Sequence, residues 1–237
     1  MIFSGCASVI HYGVMNEYFL GKNDFTWRGV QTQDFVIYYQ PYSLAEKNLV
    51  QAEIRIQKGL EKAKRFTKIQ KIKTPIYFFV VDDRTQFHKL AGYDNTGSSY
   101  HKSNTIIESY FLLGESHEFV HLLTQQEWGR SKNWLVEGIA VYSDNGWDGK
   151  NLEKLCREYQ QSHRLIPIRD LLKSNDFNSF DTQVSYPQCG SLVKYLILTY
   201  GWEKFLQLWK NPNLKKIYNL TETELERDWK DFLQTGS

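Results

Sequence analysis

His117-Glu118-Phe119-Val120-His121 decides the reading of this chain, together with Trp134-Leu135-Val136-Glu137-Gly138-Ile139-Ala140-Val141-Tyr142 a short way downstream. On an α-helix, residues four apart differ by only about 40° in direction and one turn in height, so both imidazoles can reach one cation through bonds of about 2 Å. Glu118, beside the first histidine but offset around the helix, can reach a water on that cation without ligating the metal. Only 6 of 237 residues are His, so such a pattern arises by chance in roughly one chain in a hundred. The plain alternative is a surface helix with two histidines and an acid. It fits poorly with the flanking Phe119, Val120, Leu122 and Leu123, which mark a helix packed deep in the protein.

A third ligand is needed. The extended metzincin pattern would place Gly at 124 and His at 127, whereas this chain has Thr124 and Glu127. Glu137 lies in an apolar helical stretch, where an ionised carboxylate is costly to bury unless a partner compensates it. A divalent cation is such a partner; an exposed helix edge or an Arg pair is the competing explanation. The chain between His121 and Glu137 can finish one helix, turn near Gly129 and bring a second helix alongside. Gly138 would permit close helix approach.

The rest of the sequence supplies a frame. Apolar residues make up 41% and charged residues 24%, ordinary for a globular protein. Seven Trp, 15 Tyr and 14 Phe suggest a large packed core. A net charge of +2 argues for neither nucleic acid nor an anionic membrane surface, and no Lys/Arg cluster stands out against that average. No stretch approaches the roughly 20 apolar residues of a membrane-spanning helix. Strand signals at Asp34–Tyr39 and Thr74–Val81 flank a helical pattern over 43–66, giving a β-α-β start. Residues 92–104 read as a loop and 105–110 as a short strand. Helices follow at about 114–127, 132–143, 150–162, 186–200, 202–210 and 221–234. Gly129 and Gly201 stand at helix stops, and Thr221 with Glu224 forms a capping-box signature. The fold class is α+β.

Residues 1–28 show no sustained periodicity and read as an N-terminal tail. Within them Phe3-Ser4-Gly5-Cys6-Ala7 resembles the lipobox of bacterial lipoproteins, although only five residues precede Cys6 where a leader needs roughly 7–15 apolar ones. Two readings stay open: an exported cell-envelope protein attached to a membrane through lipidated Cys6, or a cytoplasmic protein with an ordinary tail. Cys156 and Cys189 could pair in an exported protein; their spacing gives no geometric warrant, and two separate thiols in helices is the default.

The two motifs, His-Glu-Phe-Val-His and Trp-Leu-Val-Glu-Gly-Ile-Ala-Val-Tyr, resemble the gluzincin zinc metallopeptidases, particularly the bacterial peptidase MA-like group. The likeness continues through Ser185–Leu196 and Leu225–Trp229 and is most specific over 117–142. It implies a catalytic domain over 29–237, with lobes of about 29–128 and 129–237 and an active-site cleft between them. It further implies zinc held by His117, His121 and Glu137, Glu118 as general base, and a peptide or protein substrate without nucleic acid. Several gluzincins stabilise the oxyanion with a Tyr hydroxyl, for which Tyr186 is the candidate by position and Tyr142 the second choice. The resemblance also implies that an edge strand, expected at Ile106–Ser109, pairs with the substrate backbone. One departure is Val141, where thermolysin-like members carry an acid that orients a histidine; Asp144 is an alternative source. His88, His101 and His163 lack ligand spacing. A non-catalytic scaffold and a hydrolase of non-peptide amides are the rival functions; the intact Glu118 argues against the first, and the second stays open.

Overall fold

A computed structural model describes residues 14–174 and 179–235, so Cys6 lies outside the described residues. The chain divides between Glu127 and Trp128 into two compact units.

The first unit is a five-stranded mixed sheet with helices on both faces. Its strands are β1 (Arg28–Gln31), β2 (Phe35–Tyr39), β3 (Ile76–Val81), β4 (Gly97–Tyr100) and β5 (Thr105–Ser109), in the order β1-β2-β3-β5-β4. The central strands β2, β3 and β5 run parallel, and each outer strand pairs antiparallel with its neighbour. Every residue of β3 is buried, which is what Ile-Tyr-Phe-Phe-Val-Val allows in a strand covered on both sides. Its alternating side chains build two layers. On one face Phe78 packs against Phe35 and Phe119. On the other, Tyr77, Phe79 and Val81 join Phe87, Leu90, Ile107 and Phe19.

Helix α1 (Val14–Leu20) contributes that Phe19, which is fully buried and edge-on to Phe79. The expected N-terminal tail over 1–28 is therefore corrected from residue 14 onward: one buried aromatic and the Trp27 indole donating to the Phe19 carbonyl tie this segment to the sheet. The helix expected over 43–66 divides at Asn48 into α2 (Leu44–Lys47) and α3 (Leu49–Thr67). Helix α4 (Arg84–Ala91), capped by the Asp83 side chain accepting from the Gln86 N–H, was not foreseen. Helix α5 (His117–Glu127) ends the unit.

The second unit is helical: α6 (Asn133–Asp144), α7 (Leu152–Gln161), α8 (Ile168–Lys173), α9 (Thr182–Tyr200), α10 (Trp202–Lys210), α11 (Leu214–Tyr218) and α12 (Glu222–Thr235). Helix α9 forms its axis, buried almost continuously from Val184 to Leu196, with α6, α7, α10 and α12 packed on it. Buried Trp229 donates its indole N–H to the Ser191 hydroxyl at 3.1 Å, satisfying two polar groups inside the core. The capping box is present: Thr221 N–H donates to Glu224 Oε2 at 2.7 Å, and Glu224 N–H donates to Thr221 Oγ1 at 3.2 Å. Gly129 and Gly201 have φ of 79° and 84°, backbone that favours glycine at chain reversals. Cys156 on α7 and Cys189 on α9 are separate buried thiols, and burial pushes both well above the usual thiol range.

Candidate metal centre

Helix α5 carries the first half of the site. Residues 118–124 are all buried, so this part of the helix is covered nearly all round, and Glu118 and His121 sit where water is scarce. Phe119 anchors it, 6.1 Å from the Phe35 ring and 5.7 Å from Phe78 between centroids. Gly59 of α3 makes the close approach possible: a Cβ there would stand 2.6 Å from the Glu115 carbonyl oxygen and 2.9 Å from Phe119. Within α5 the Nε2 atoms of His117 and His121 lie 3.1 Å apart, with their rings nearly perpendicular. Two imidazole nitrogens ligating one tetrahedral zinc at 2.0–2.1 Å are about 3.3 Å apart, so the pair fits the metal's donor geometry.

Glu118 sits in the first turn of α5, where the helix dipole favours a carboxylate, and it is 9% exposed. Its carboxyl group fills the space left by the missing side chain of Gly97 on β4. A Cβ at Gly97 would meet Glu118 Oε1 at 2.8 Å, Cγ at 3.1 Å and Cδ at 3.2 Å. Residues 92–104 were expected to be a loop, and Ile106–Ser109 an edge strand. Both expectations are corrected: β5 lies inside the sheet, flanked by β3 and β4, and the edge is β4. All five β5 residues are buried, the mark of an interior strand. Gly-Ser-Ser-Tyr escaped notice because it lacks the β-branched residues by which strands are recognised.

In the second unit, α6 carries Glu137 and packs on α9 through a pair of glycines. A Cβ on Gly138 would come within 2.5 Å of Val193 Cγ2 and 2.7 Å of the Cys189 carbonyl oxygen. One on Gly190 would come within 2.6 Å of Val141 Cγ1. Gly138 thus permits the close approach its position suggested, and Gly190 is its unforeseen counterpart. At the C-terminal end of α6, Lys194 of α9 bonds Asn145 Oδ1 at 3.3 Å and the buried Glu153 carboxylate at 3.0 Å. Tyr186 stands on α9 with its ring 5.1 Å from Trp147, and Tyr142 is on α6 near the Lys194 ammonium. Asp144 closes α6, His88 belongs to α4, His101 to the β4–β5 turn, and His163 follows α7.

Helix α5 of the first unit thus offers two imidazole nitrogens, and α6 of the second carries the Glu137 carboxylate. Two imidazoles and a carboxylate are a donor set suited to zinc.

The sequence profile of the Peptidase MA superfamily matches residues 56–235, more than half of the chain. The chain belongs to that superfamily. No curated protein matches it. Among solved structures, a mutant of an M1 zinc metallopeptidase from Deinococcus radiodurans is similar, with a TM-score of 0.45 and 12% identity, over 85% of this chain and 50% of that one. The chain thus spans about half the length of that protein.

The glycine crossing yields a prediction for this member of the Peptidase MA superfamily. Gly138→Ala sets a new methyl against backbone, which cannot rotate aside, and should cost about 1–3 kcal/mol of stability. Denaturant unfolding measures that loss.

Proposed function

We propose that the protein is a zinc-dependent peptidase in which His117, His121 and Glu137 hold the metal and Glu118 is the general base. The observation that carries this reading is the 3.1 Å approach of the two Nε2 atoms on one buried helix that also presents Glu118. Membership of the Peptidase MA superfamily supports it.

Zinc bound there would supply Lewis acidity, lowering the pKa of a water and polarising the scissile carbonyl. Glu118 accepts the proton of the attacking water and returns it to the leaving amine. Its burial against Gly97 holds the carboxylate in one position and removes competing water. The outer edge of β4 offers main-chain N–H and C=O groups to an extended peptide, the role first expected of Ile106–Ser109. Tyr186 is assigned to donate its hydroxyl to the developing oxyanion, with Tyr142 as the second choice. An acid that neutralises charge without turnover would have no need of this environment, which sets the reading apart from a scaffold.

Metal analysis of the wild type should give one zinc per chain. Glu118→Gln keeps the ion-binding side chains and should retain zinc while peptide hydrolysis is lost; Glu137→Ala should weaken zinc binding itself. Turnover persisting in the Gln variant would overturn the assignment of Glu118, and wild-type cleavage of non-peptide amides alone would move the protein to that class.

Gly97→Ala separates positioning from ligation. The cheapest relief of the new contact is a shift of the Glu118 carboxylate, because the nearest atom, Oε1, is the far end of a side chain rather than backbone. Thermal stability and zinc content should therefore stay near wild type while turnover falls by about one to two orders of magnitude. Unchanged turnover would show that the Gly97 contact does not position the base.

A further inference from the structure

Whole-chain charge hides an asymmetry. Residues 58–73 contain seven Lys or Arg and one acid, Glu61, leaving 22 Lys and Arg against 26 Asp and Glu in the remainder. The absence of a basic cluster read from the +2 average is thereby corrected. The run covers the last turns of α3 and the segment leading into β3, where Arg65, Lys68, Lys71 and Lys73 are exposed. The β4–β5 turn adds exposed Lys102 at the same end of the sheet, because Asn104 in that turn donates to the carbonyls of Lys73 and Pro75 at 2.9 and 2.7 Å. Asp34 at the start of β2 and Glu127 at the end of α5 stand at this end as well, outnumbered by the exposed cations. Among the described residues, Arg65, Lys71, Lys73 and Lys102 make no ion pair.

We propose that this lysine-rich end of the first unit docks on anionic phospholipid headgroups. Lysines are compact point charges suited to a diffuse anionic surface, whereas nucleic-acid recognition relies on arginine forks and exposed stacking rings. Among the described residues, none of the exposed large apolar side chains falls within 58–73 or 101–104. The described chain also begins at this end: Asn16 of α1 donates to the Ser103 carbonyl and accepts from the Thr105 hydroxyl. Cys6 precedes Val14 by eight residues, which bounds its distance from Val14 at about 28 Å whatever path the chain takes. An acyl group on Cys6 and the lysines would therefore engage one membrane together, and one chain plus a polybasic surface is the combination that gives stable anchoring. The docking surface is remote from His117. Gln126 bonds to Asn104 at this end and stands nine helical positions beyond His117, about 14 Å along α5.

The test is flotation of the full chain carrying Cys6→Ser, so that no acyl group contributes. It uses vesicles of phosphatidylcholine alone and of phosphatidylcholine with phosphatidylglycerol. Binding should require phosphatidylglycerol, fall as salt is raised, and drop at least about tenfold when Arg65, Lys71, Lys73 and Lys102 are changed together to Gln. All four are exposed, so circular dichroism and zinc content should not change. Neutralising Lys150, Lys154, Lys210 and Lys216 instead should leave binding near wild type. Equal loss in both variants, binding to neutral vesicles, or preferential capture by duplex DNA or RNA over the anionic vesicles would each overturn the proposal.

Discussion

Everything in the first unit serves one arrangement, two imidazole nitrogens aimed at a common point from adjacent turns of a helix. Their 3.1 Å separation is set by backbone geometry and by how firmly α5 is held. Phe119 fixes the helix against the sheet through Phe35 and Phe78, and Gly59 lets α3 approach where any side chain would collide with the Glu115 carbonyl. The consequence is a set of polar groups kept largely from water, with His121 7% and Glu118 9% exposed. Such groups are costly to bury unless something compensates them, and a divalent cation compensates histidine and carboxylate together.

The second unit solves a similar problem with different means. Helix α6 is seated on α9 through Gly138 and Gly190, so the position of Glu137 within this unit follows from backbone contact rather than from adaptable side chains. The Lys194 ammonium bonds both the cap residue Asn145 and the buried Glu153, tying the end of α6 to α7 and α9. Its contribution is specificity of placement more than stability, since taking both charges of such a pair out of water offsets much of their attraction.

The candidate site is more legible in the sequence than the scaffold around it. Histidines four apart and a carboxylate within an apolar helical run are legible because helical periodicity is strict and the chemistry leaves few alternatives. The later helices were legible for the same reason, aided by the Thr221 and Glu224 cap. The weakest signals belonged to short or polar elements. Gly97–Tyr100 has no strand-forming residue before Tyr100, and α1 is seven residues whose burial depends on Phe19 meeting Phe79. The edge strand was misplaced because Thr105–Ser109 looked like a strand but gave no sign of which neighbours it would have. Its unbroken burial, visible only in the fold, puts it inside the sheet. The basic end of α3 went unseen for another reason: a whole-chain average cancels a local excess against acids elsewhere.

In the proposed site His117 and His121 bind one zinc ion through nitrogen, with oxygen and no sulfur completing its coordination. X-ray absorption at the zinc edge on the purified protein reads those ligands directly. The spectrum should show outer-sphere scattering from two imidazoles and a first shell of nitrogen and oxygen alone. A spectrum showing sulfur, or fewer than two imidazoles, would contradict it.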